Sequence, residues 1–381
     1  MGAALIYIAI SCLIIWRSSH GFEIASDFLG RKLPAGIKGA TLNAIASSMP
    51  EFLTTIFFLF YLRDADGFSG GLGVTSGSAL FNLLIIPALA VLVIFSRKKK
   101  KSITLNKKVL MREGAVLLIS QIVFVNILFS GELLAIHGLT LVLIYLLYLG
   151  WLYAITRSKN MADPGFKTPE QPIGRSVLTK ILTLDVTHLV LKGRQINRGR
   201  AWLLLGFSTL VMTFGTWLLV YATDHFGEVT GIPLIFVAVV LSAAATSVPD
   251  TIISIKDARK GNYDDAVSNA LGSNIFDIAF ALGLPVLLFN LFYEEPMFLD
   301  PEVLAFTKEV WVFLLMATFV ALAIMLSGKQ FNRIKAFLLL GIYVLFLLFV
   351  GTQINEDLQG IGKPIGEFLK GVANWIGTFL H

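Results

Sequence analysis

The chain has 381 residues, of which 56% are hydrophobic and only 15% are charged, and its formal net charge at pH 7 is +6. Soluble domains usually carry about 25% charged residues, so this composition excludes an ordinary cytosolic enzyme, a disordered chain and a nucleic-acid-binding module. The basic residues stand in short runs beside apolar stretches, as in the cytoplasmic loops of membrane proteins. The single cysteine, Cys12, excludes an internal disulfide and a thiolate metal cluster.

Apolar stretches long enough to cross a membrane, at about 20 residues each, recur along the whole chain. The first lacks a basic start and a small-x-small cleavage site, so we predict a membrane span and not a cleaved signal peptide. It is the shortest, because a segment containing Gly, Ser and His follows Trp16. The sequence predicts ten spans, near residues 3–17, 40–62, 70–96, 109–129, 133–156, 201–223, 231–255, 266–293, 304–326 and 335–351.

The charge of the connectors alternates and predicts the topology. Connectors after the even-numbered spans are acidic or weakly charged, with Glu132, Glu228 and Asp300 as examples. Those after the third, fifth and ninth spans are basic, and the third contains a run from Arg97 to Lys101. Because cytoplasmic loops are enriched in Lys and Arg, we expect the odd-numbered connectors in the cytoplasm and both termini outside. The lysine run could instead be a regulatory patch that binds anionic lipids.

Two segments outside the spans have helical patterns. Residues 177–191 are apolar but short, and Lys180, Asp185 and His188 interrupt them, so we expect a cytoplasmic helix lying on the membrane or on the protein. In residues 359–381, apolar side chains recur at helical spacing with charged ones between them. This pattern predicts an amphipathic interfacial helix and not an eleventh span.

Two short motifs occur twice, in the same order. Residues 46–51 (ASSMPE) match 245–250 (ATSVPD), and residues 77–82 (GSALFN) match 272–277 (GSNIFD). The first copies lie on spans two and three, and the second copies on spans seven and eight. Five crossings separate the copies, an odd number, so they enter the membrane from opposite sides. Such inverted-topology repeats are the plan of many secondary transporters.

The repeat predicts an all-α membrane protein whose ten or so transmembrane helices form two inverted five-helix repeats. The expected organisation is a first repeat at 1–156, a cytoplasmic loop at 157–200, a second repeat at 201–351 and an amphipathic tail at 352–381. The motif-bearing regions of the two repeats lie at about 40–96 and 240–290.

Both copies break the rules for a lipid-facing helix. Pro50 and Pro249 each remove a backbone donor in mid-span, which frees carbonyls about one turn earlier. Glu51, Asp250 and Asp277 place carboxylates at membrane depth, where charged groups are costly and by default functional. Carboxylates, hydroxyls and a freed carbonyl within one turn make a hard oxygen site, which suits Na⁺, Ca²⁺ or Mg²⁺ and not a transition metal.

Hydroxyl and amide side chains flank these acids at helical spacing. Residues three or four apart share a helix face, which pairs Ser47 and Ser48 with Glu51, Thr246 and Ser247 with Asp250, Ser78 with Asn82, and Ser273 with Asp277. Taken singly, a proline can be a mere kink, and a hydroxyl can bond back to its own helix; the repetition of the set favours an ion site.

Two negative observations and one packing motif complete the pattern. Gly73 and Gly77 form a GxxxG motif, for which close helix packing is the expected role. The chain contains no GxxxxGK[ST] motif, which argues against ATP-driven transport. Its five histidines show no metal-ligand spacing, and we expect no cofactor and no catalytic group.

At these motifs the sequence resembles the calcium/cation antiporter superfamily, and within it the sodium/calcium exchangers, including the potassium-dependent branch. The segment ATSVPDTIISIKDARKGNYDDAVSNALGSNIFD (245–277) is similar to the second α-repeat of those exchangers. ATLNAIASSMPEFLTT (40–55) and GLGVTSGSALFN (71–82) are similar to the first. Proton/calcium exchangers of the superfamily typically carry Gly-Asn-x-x-Glu where this chain has Met-Pro-Glu and Val-Pro-Asp, which favours the sodium type.

The resemblance implies roles for individual residues. Glu51 and Asp250 would bind Ca²⁺ and Na⁺ alternately, and Asn82 and Asp277 would complete the centre. Ser78 and Ser273 would line flanking Na⁺ sites. Further oxygens would come from the side chains of Ser47, Ser48, Thr246 and Ser247 and from the carbonyls of Ala44 and Ala243.

This chain also departs from the family pattern. The second acid is Asp250 where many relatives have Glu, and its shorter reach could change affinity or the number of ions. Asn43 and Met49 stand in a stretch usually made of small residues, which could narrow one pathway. An acid at the position of Asp277 occurs in relatives with and without potassium dependence, so K⁺ cotransport stays open.

The sequence thus predicts an antiporter that exchanges Na⁺ for Ca²⁺ by alternating access, as a monomer in the lipids of the cytoplasmic membrane. It predicts no enzymatic activity and no nucleic-acid partner. Three alternatives are an H⁺/Ca²⁺ antiporter using the same carboxylates, a passive cation channel and an intramembrane hydrolase. No catalytic spacing supports the hydrolase.

Overall fold

A computed structural model describes residues 1–32, 42, 44–63, 65–98, 102–156, 184–261, 263–294, 296–328, 330–354 and 359–380. Within this part of the chain, nine helices are long and apolar enough to cross a membrane, and the bent pair Leu234–Thr246 and Val248–Lys260 makes ten when it is counted as one span. The predicted all-α membrane protein is therefore confirmed. Asn43, the lysines at 99–101 and residues 157–183 of the predicted cytoplasmic loop lie outside the described residues.

The first five spans occupy the first half of the chain. Span 1 is Gly2–Leu29, and span 2 is Ala44–Phe57 followed by a π-helical turn, Phe58–Leu62. Span 3 comprises Ala65–Leu80, a π-helical turn Phe81–Ile85 and Ile86–Lys98. Span 4 is Lys107–Phe129 and span 5 is Ala135–Thr156.

Spans 6 to 10 follow a short helix, Val186–Leu191. Span 6 is Arg198–Thr230, span 9 is Pro301–Leu326 and span 10 is Arg333–Ile354. Span 7 comprises Leu234–Val237, the π-helical turn Ala238–Ser242, Ala243–Thr246 and Val248–Lys260. Span 8 comprises Tyr263–Phe276, the π-helical turn Asp277–Ala281 and Gly283–Tyr293.

Span 1 is much longer than predicted, because the helix continues through the Gly/Ser/His segment to Leu29. The hydroxyl of Ser18 donates to the carbonyl of Ile14 at 2.7 Å, so it is satisfied inside its own helix. A Cβ on Gly21 would lie 2.5 Å from Ser208 Oγ of span 6. The small and hydroxylated residues therefore let span 6 approach closely, and they do not end the helix.

Spans 2, 3, 7 and 8 pack against one another in the middle of the molecule. Spans 1 and 6 form an extensive pair that contacts spans 2 and 7. On another side, spans 4 and 5 contact span 8, while spans 9 and 10 contact span 3. The four motif-bearing spans are thus enclosed by the other six.

Two short antiparallel ladders join connectors that are far apart in sequence. Strand β1 (Ser102–Ile103) pairs with β4 (Phe331–Asn332), with Ser102 opposite Asn332. Strand β2 (Glu132–Leu133) pairs with β3 (Met297–Phe298), with Glu132 opposite Phe298. The first ladder joins the connectors after spans 3 and 9, and the second joins those after spans 4 and 8.

The two helices predicted outside the spans are present where the structure describes them. Val186–Leu191 begins at Asp185, whose carboxylate accepts from the backbone N–H of His188 at 3.1 Å. This helix buries Val186 and Leu191 against spans 1 and 6. The C-terminal helix, Gln359–Leu380, buries Leu369 and Ala373 toward spans 9 and 10, while Phe368 and Trp375 stay exposed.

Candidate cation-binding site

The three acids predicted at membrane depth lie on spans 2, 7 and 8, and all three are fully buried. Glu51, Asp250 and Asp277 each have 0% exposure. Glu51 follows Pro50 within an unbroken helix, whereas span 7 breaks at Ser247 and bends by 41° just before Pro249. Asp277 is the first residue of the π-helical turn of span 8. Each acid thus lies at a proline or at a π-helical irregularity, as is frequent at functional sites.

Ser78 is at the centre of the contacts among these acids. Its hydroxyl oxygen lies 3.1 Å from Glu51 Oε1, 2.9 Å from Ser247 Oγ and 3.4 Å from Asp277 Oδ2. Asn82, one turn further along span 3, donates from Nδ2 to Asp250 Oδ2 at 3.0 Å. A hydroxyl has one hydrogen, so Ser78 can donate to only one of its three oxygen neighbours.

The second copy of the motif makes the equivalent contact. Ser273 Oγ donates to Asp250 Oδ1 at 3.0 Å, just as Ser78 Oγ donates to Glu51 Oε1 at 3.1 Å. Ser47 Oγ lies 3.2 Å from Ser273 Oγ and links span 2 to span 8. The four motif-bearing spans therefore meet through one continuous set of hydroxyl, amide and carboxylate groups.

The carbonyls of Ala44 and Ala243 are already engaged by their own helical turns. Ser47 donates to the Ala44 carbonyl at 3.2 Å, and Thr246 donates to the Ala243 carbonyl at 3.1 Å. The hydroxyls of Ser47 and Thr246 therefore bond back to their own helices, as a hydroxyl in a helix can, and both residues also lie at the site. An ion could use these carbonyls only beside, or in place of, the hydroxyl contacts.

Buried oxygens of the motif-bearing spans that have no hydrogen-bond partner include Glu51 Oε2, Asp277 Oδ1, Asn82 Oδ1, Asn269 Oδ1 and Asn274 Oδ1. A buried acceptor without a partner costs about 1–3 kcal/mol, and more when it is charged. Among the described residues, no basic side chain forms an ion pair with Glu51, Asp250 or Asp277. The donor set therefore lacks positive charge and fits a hard cation.

The acids do not converge as a compact carboxylate cluster. In the part of the chain that the structure describes, no group of three or more His, Cys, Asp or Glu side chains could hold a metal ion alone. Any bound cation would need the hydroxyl and amide oxygens that separate the carboxylates.

The structure brings together most of the predicted site residues. Eight of them form the contact network: Glu51, Asp250, Asp277, Asn82, Ser47, Ser78, Ser247 and Ser273. Ala44, Ala243 and Thr246 adjoin this network through their helical turns. Ser48, one turn before Glu51 on span 2, is also fully buried.

Two amides were missed from the sequence. Asn269 Nδ2 lies 3.4 Å from Asp250 Oδ1, and Asn274 Nδ2 donates to the Ala79 carbonyl at 2.8 Å. Comparing the two copies does not identify these amides, because the first copy has Val74 and Ala79 at the matching positions. The signal that could have found Asn269 is its spacing, four residues before Ser273 and eight before Asp277 on one helix face.

The GxxxG motif of span 3 packs directly against span 7, as predicted. A Cβ on Gly77 would lie 2.0 Å from the Val239 carbonyl oxygen, and one on Gly73 would lie 3.0 Å from that of Ile235. The backbones are in contact at this crossing, which fixes the distance between Ser78 and Ser247.

Comparison with known proteins gives the family. The model of the family described as sodium/calcium exchanger protein matches residues 3–154 and 200–352. The inner membrane protein YrbG of Escherichia coli is 27% identical over 341 residues, which cover 89% of this chain and 94% of that protein. Human sodium/potassium/calcium exchanger 2 is 38% identical over 144 residues, which are 38% of this chain and only 21% of that protein.

A solved structure shares the fold. The crystal structure of the H⁺/Ca²⁺ exchanger CAX superposes with a TM-score of 0.71 over 99% of this chain and 91% of that one, at 15% sequence identity. This similarity supports the helix arrangement described above, and at such low identity it carries the fold alone. The chain is a multi-span integral membrane protein that belongs to the sodium/calcium exchanger family.

Proposed function

We propose that the protein is a secondary antiporter that exchanges Na⁺ for Ca²⁺ across the membrane by alternating access. The observation that carries the proposal is the set of three fully buried carboxylates, Glu51, Asp250 and Asp277, with no basic partner among the described residues. Glu51 Oε2 and Asp277 Oδ1 have no hydrogen-bond partner, and buried charges without a partner favour bound cations. The family supports Ca²⁺/cation antiport as the class of activity.

The choice of Na⁺ as the driving ion rests on similarity to a named exchanger and on the residues beside the acids. The 144-residue match at 38% identity is to a relative named as a sodium/potassium/calcium exchanger. The solved structure named as an H⁺/Ca²⁺ exchanger is only 15% identical. Met-Pro-Glu and Val-Pro-Asp at the acids also favour the sodium type. The H⁺/Ca²⁺ antiporter is the second candidate, because buried carboxylates can also carry protons.

Charge explains how the two fluxes would be coupled. Buried carboxylates repel one another and are costly to expose to the membrane interior without cations. One Ca²⁺ or several Na⁺ would satisfy Glu51, Asp250 and Asp277, but both loads cannot be fully bound at once. The carrier would therefore change conformation readily only when loaded. Spans 1 and 6, which contact the site through spans 2 and 7, would slide or rock past the central spans.

The remaining assignments belong to the same proposal. The binding residues would be the twelve predicted from the sequence: Ala44, Ser47, Ser48, Glu51, Ser78, Asn82, Ala243, Thr246, Ser247, Asp250, Ser273 and Asp277. We propose location in the plasma membrane, supported by the inner-membrane relative, action as a monomer with lipids as its surroundings, and no enzymatic activity. The ions are the transported substrates.

The deciding experiment is ⁴⁵Ca²⁺ uptake into proteoliposomes loaded with Na⁺ and diluted into Na⁺-free buffer, with and without external K⁺. A matched set would carry a pH gradient in place of the Na⁺ gradient. We expect uptake that requires internal Na⁺, and the K⁺ arm decides whether K⁺ moves with Ca²⁺. Uptake driven only by the pH gradient would replace the proposal with the H⁺/Ca²⁺ antiporter.

A further inference from the structure

We propose that Asn269 and Ser254 form an additional sodium subsite beside Asp250, present in the second repeat and absent from the first. This inference rests on the proposed Na⁺/Ca²⁺ exchange and assigns an ion-binding role to two residues outside the twelve above. It begins from an asymmetry between two otherwise matching helix hairpins.

The hairpin of spans 7 and 8 places Ser254 and Asn269 at one depth. Asp250 and Ser273 lie equally far in sequence from the turn after Lys260, and they contact each other at 3.0 Å. Ser254 follows Asp250 by four residues, and Asn269 precedes Ser273 by four. Both therefore lie one helical turn closer to the connector, on the same helix faces as the contacting pair.

The amide of Asn269 is oriented by Asp250. Its Nδ2 lies 3.4 Å from Asp250 Oδ1, which also accepts from Ser273. The reverse orientation would place the amide oxygen against the carboxylate oxygen, and two acceptors repel. Asn269 Oδ1 is therefore directed away from the carboxylate. Asn269 is only 4% exposed and this oxygen has no hydrogen-bond partner.

Ser254 supplies a second unpartnered oxygen. The residue has 0% exposure, and its hydroxyl has no hydrogen-bond partner. A serine hydroxyl in a helix usually donates to the carbonyl four residues earlier. Thr55 is the matching residue of the first repeat, and its hydroxyl does donate to the carbonyl four residues earlier, that of Glu51, at 2.9 Å.

The first repeat has no amide at the position of Asn269, although the hydroxyl of Thr54, three residues after Glu51, is also buried without a hydrogen-bond partner. There Val74 stands where the second repeat has Asn269, and it is buried with 0% exposure. The Thr55 hydroxyl is already engaged, as described. Of the described residues at this depth, the combination of an unpartnered amide oxygen with an unpartnered hydroxyl oxygen thus occurs only toward the connector after span 7.

The charge of this subsite suits a monovalent ion. It offers one carboxylate, shared with the central network, and two neutral oxygens, from an amide and a hydroxyl. Ca²⁺ takes six to eight oxygen ligands, and its affinity rises with the number of charged ones. A single shared carboxylate matches the charge of Na⁺, so Asn269 and Ser254 should act on Na⁺ affinity far more than on Ca²⁺ affinity.

The test is equilibrium binding of ²²Na⁺ and of ⁴⁵Ca²⁺ to the purified full chain in detergent. Asn269→Val installs the residue of the first repeat, and Ser254→Ala removes the second oxygen. We expect each to raise the half-saturating Na⁺ concentration about tenfold, which is the loss of roughly one 1.4 kcal/mol contact, and to change that of Ca²⁺ less than twofold. Asn290→Val is the matched control, because this buried amide of span 8 donates only to Val286 O of its own helix, at 2.9 Å.

The outcomes separate this inference from the proposed function. Unchanged Na⁺ binding in both variants would overturn the subsite, and so would equal losses of Na⁺ and Ca²⁺ binding, because Asn269 would then only position Asp250. Wild-type protein that binds Ca²⁺ but no Na⁺ would instead overturn the sodium-coupled function. Thermal unfolding of each variant checks that it is folded. If Asn269→Val does not fold, the Na⁺ binding of Ser254→Ala, the smaller change, decides the test.

Discussion

At the scale of single residues, two hydroxyl–carboxylate contacts define the site. Ser78 with Glu51 and Ser273 with Asp250 have nearly the same distance, 3.1 and 3.0 Å, although they lie in different repeats. Each repeat thus sets one serine hydroxyl against its own acid. Because no basic side chain among the described residues pairs with either acid, the negative charge of each acid is available to balance a bound cation.

Replacing either acid by its amide should therefore abolish exchange. Glu51→Gln and Asp250→Asn keep the side-chain size and remove one negative charge that a bound cation needs. We expect Na⁺-dependent ⁴⁵Ca²⁺ uptake to fall at least 100-fold, about 3 kcal/mol, while the thermal unfolding temperature in detergent does not fall, because a buried charge is itself costly. Glu228→Gln, on an acid with a 70% exposed side chain, is the control. Normal flux in Glu51→Gln or Asp250→Asn would contradict the assigned roles.

Ser78 offers a second test with a close control. Its hydroxyl contacts Glu51, Ser247 and Asp277, so Ser78→Ala should weaken ion binding 10- to 100-fold, given about 1.5–3 kcal/mol for a hydrogen bond to a charged group. Ser76 is equally buried but donates to the Leu72 carbonyl of its own helix at 2.8 Å. Ser76→Ala should leave ⁴⁵Ca²⁺ binding within about twofold. Equal effects of the two changes would remove Ser78 from the site.

The sequence predicts these residues well because each stands in a repeated motif. A carboxylate and a hydroxyl that recur in the same order have to serve the same chemistry twice. Asn269 shows the limit of this reasoning: it faces Asp250 in space, but its counterpart is Val74, so comparing the copies excludes it. A residue present in only one repeat is found by its spacing to Ser273 and Asp277 on one helix face, or in the folded hairpin, and not by comparing the copies.

At the scale of helices, the crossing of spans 3 and 7 sets the dimensions of the site. Gly77 lets the two backbones touch, and the next residue along the chain is Ser78, which contacts Ser247 of span 7 at 2.9 Å. Any side chain at position 77 would separate the spans. The same crossing therefore controls both packing and the distance between ion ligands.

Gly77→Ala should destabilise the protein and weaken ion binding together. The added methyl group would lie 2.0 Å from the Val239 carbonyl oxygen, and overpacking of this kind costs about 1–3 kcal/mol. We expect a lower unfolding temperature in detergent and a weaker ⁴⁵Ca²⁺ affinity. Gly150→Ala on span 5, where a Cβ would meet nothing within 4 Å, should be neutral or slightly stabilising. Comparable losses in both variants would show that the spans 3 and 7 crossing has no special role.

Helix boundaries were harder to predict than helix existence. The Ser and Gly residues after Trp16 suggested an early end to span 1, but the closely packed span 6 uses them as a contact surface. For span 7, Pro249 indicated a break, and the structure places the bend of 41° between Thr246 and Val248. A small residue can end a helix or form a contact surface for a neighbouring helix. The choice depends on tertiary packing, which a single sequence does not show directly.

At the scale of the whole molecule, contacts between connectors follow one rule: odd-numbered connectors meet odd ones, and even meet even. The ladders of β1 with β4 and of β2 with β3 obey it. So does the backbone N–H of Asn106, in the connector after span 3, which donates at 2.6 Å to Oδ1 of Asp264 in the first turn of span 8, beside the connector after span 7. Connectors that touch must lie on the same side of the membrane, as the alternating charges predicted.

The contacts also support the two inverted repeats, which stay a prediction. If the two halves are equivalent, each span n of the first half corresponds to span n + 5 of the second. The β1–β4 ladder, between the connectors after spans 3 and 9, then corresponds to the β2–β3 ladder, between those after spans 8 and 4. The packing of spans 4 and 5 on span 8 likewise corresponds to that of spans 9 and 10 on span 3. Both relations are present, and the family match also falls in two stretches, 3–154 and 200–352.

Which side faces the cytoplasm can be tested by cysteine labelling. Cys12 is replaced by Ser, and single cysteines are introduced at two exposed connector positions, Lys192→Cys after span 5 and Asp300→Cys after span 8. Because basic connectors stay in the cytoplasm, a membrane-impermeant maleimide added to intact cells should label the variant at 300, and the variant at 192 only after permeabilisation. The reverse pattern would invert the molecule and place the Asn269 side of the site outside. Labelling of both in intact cells would contradict the assignment of these two connectors to opposite sides.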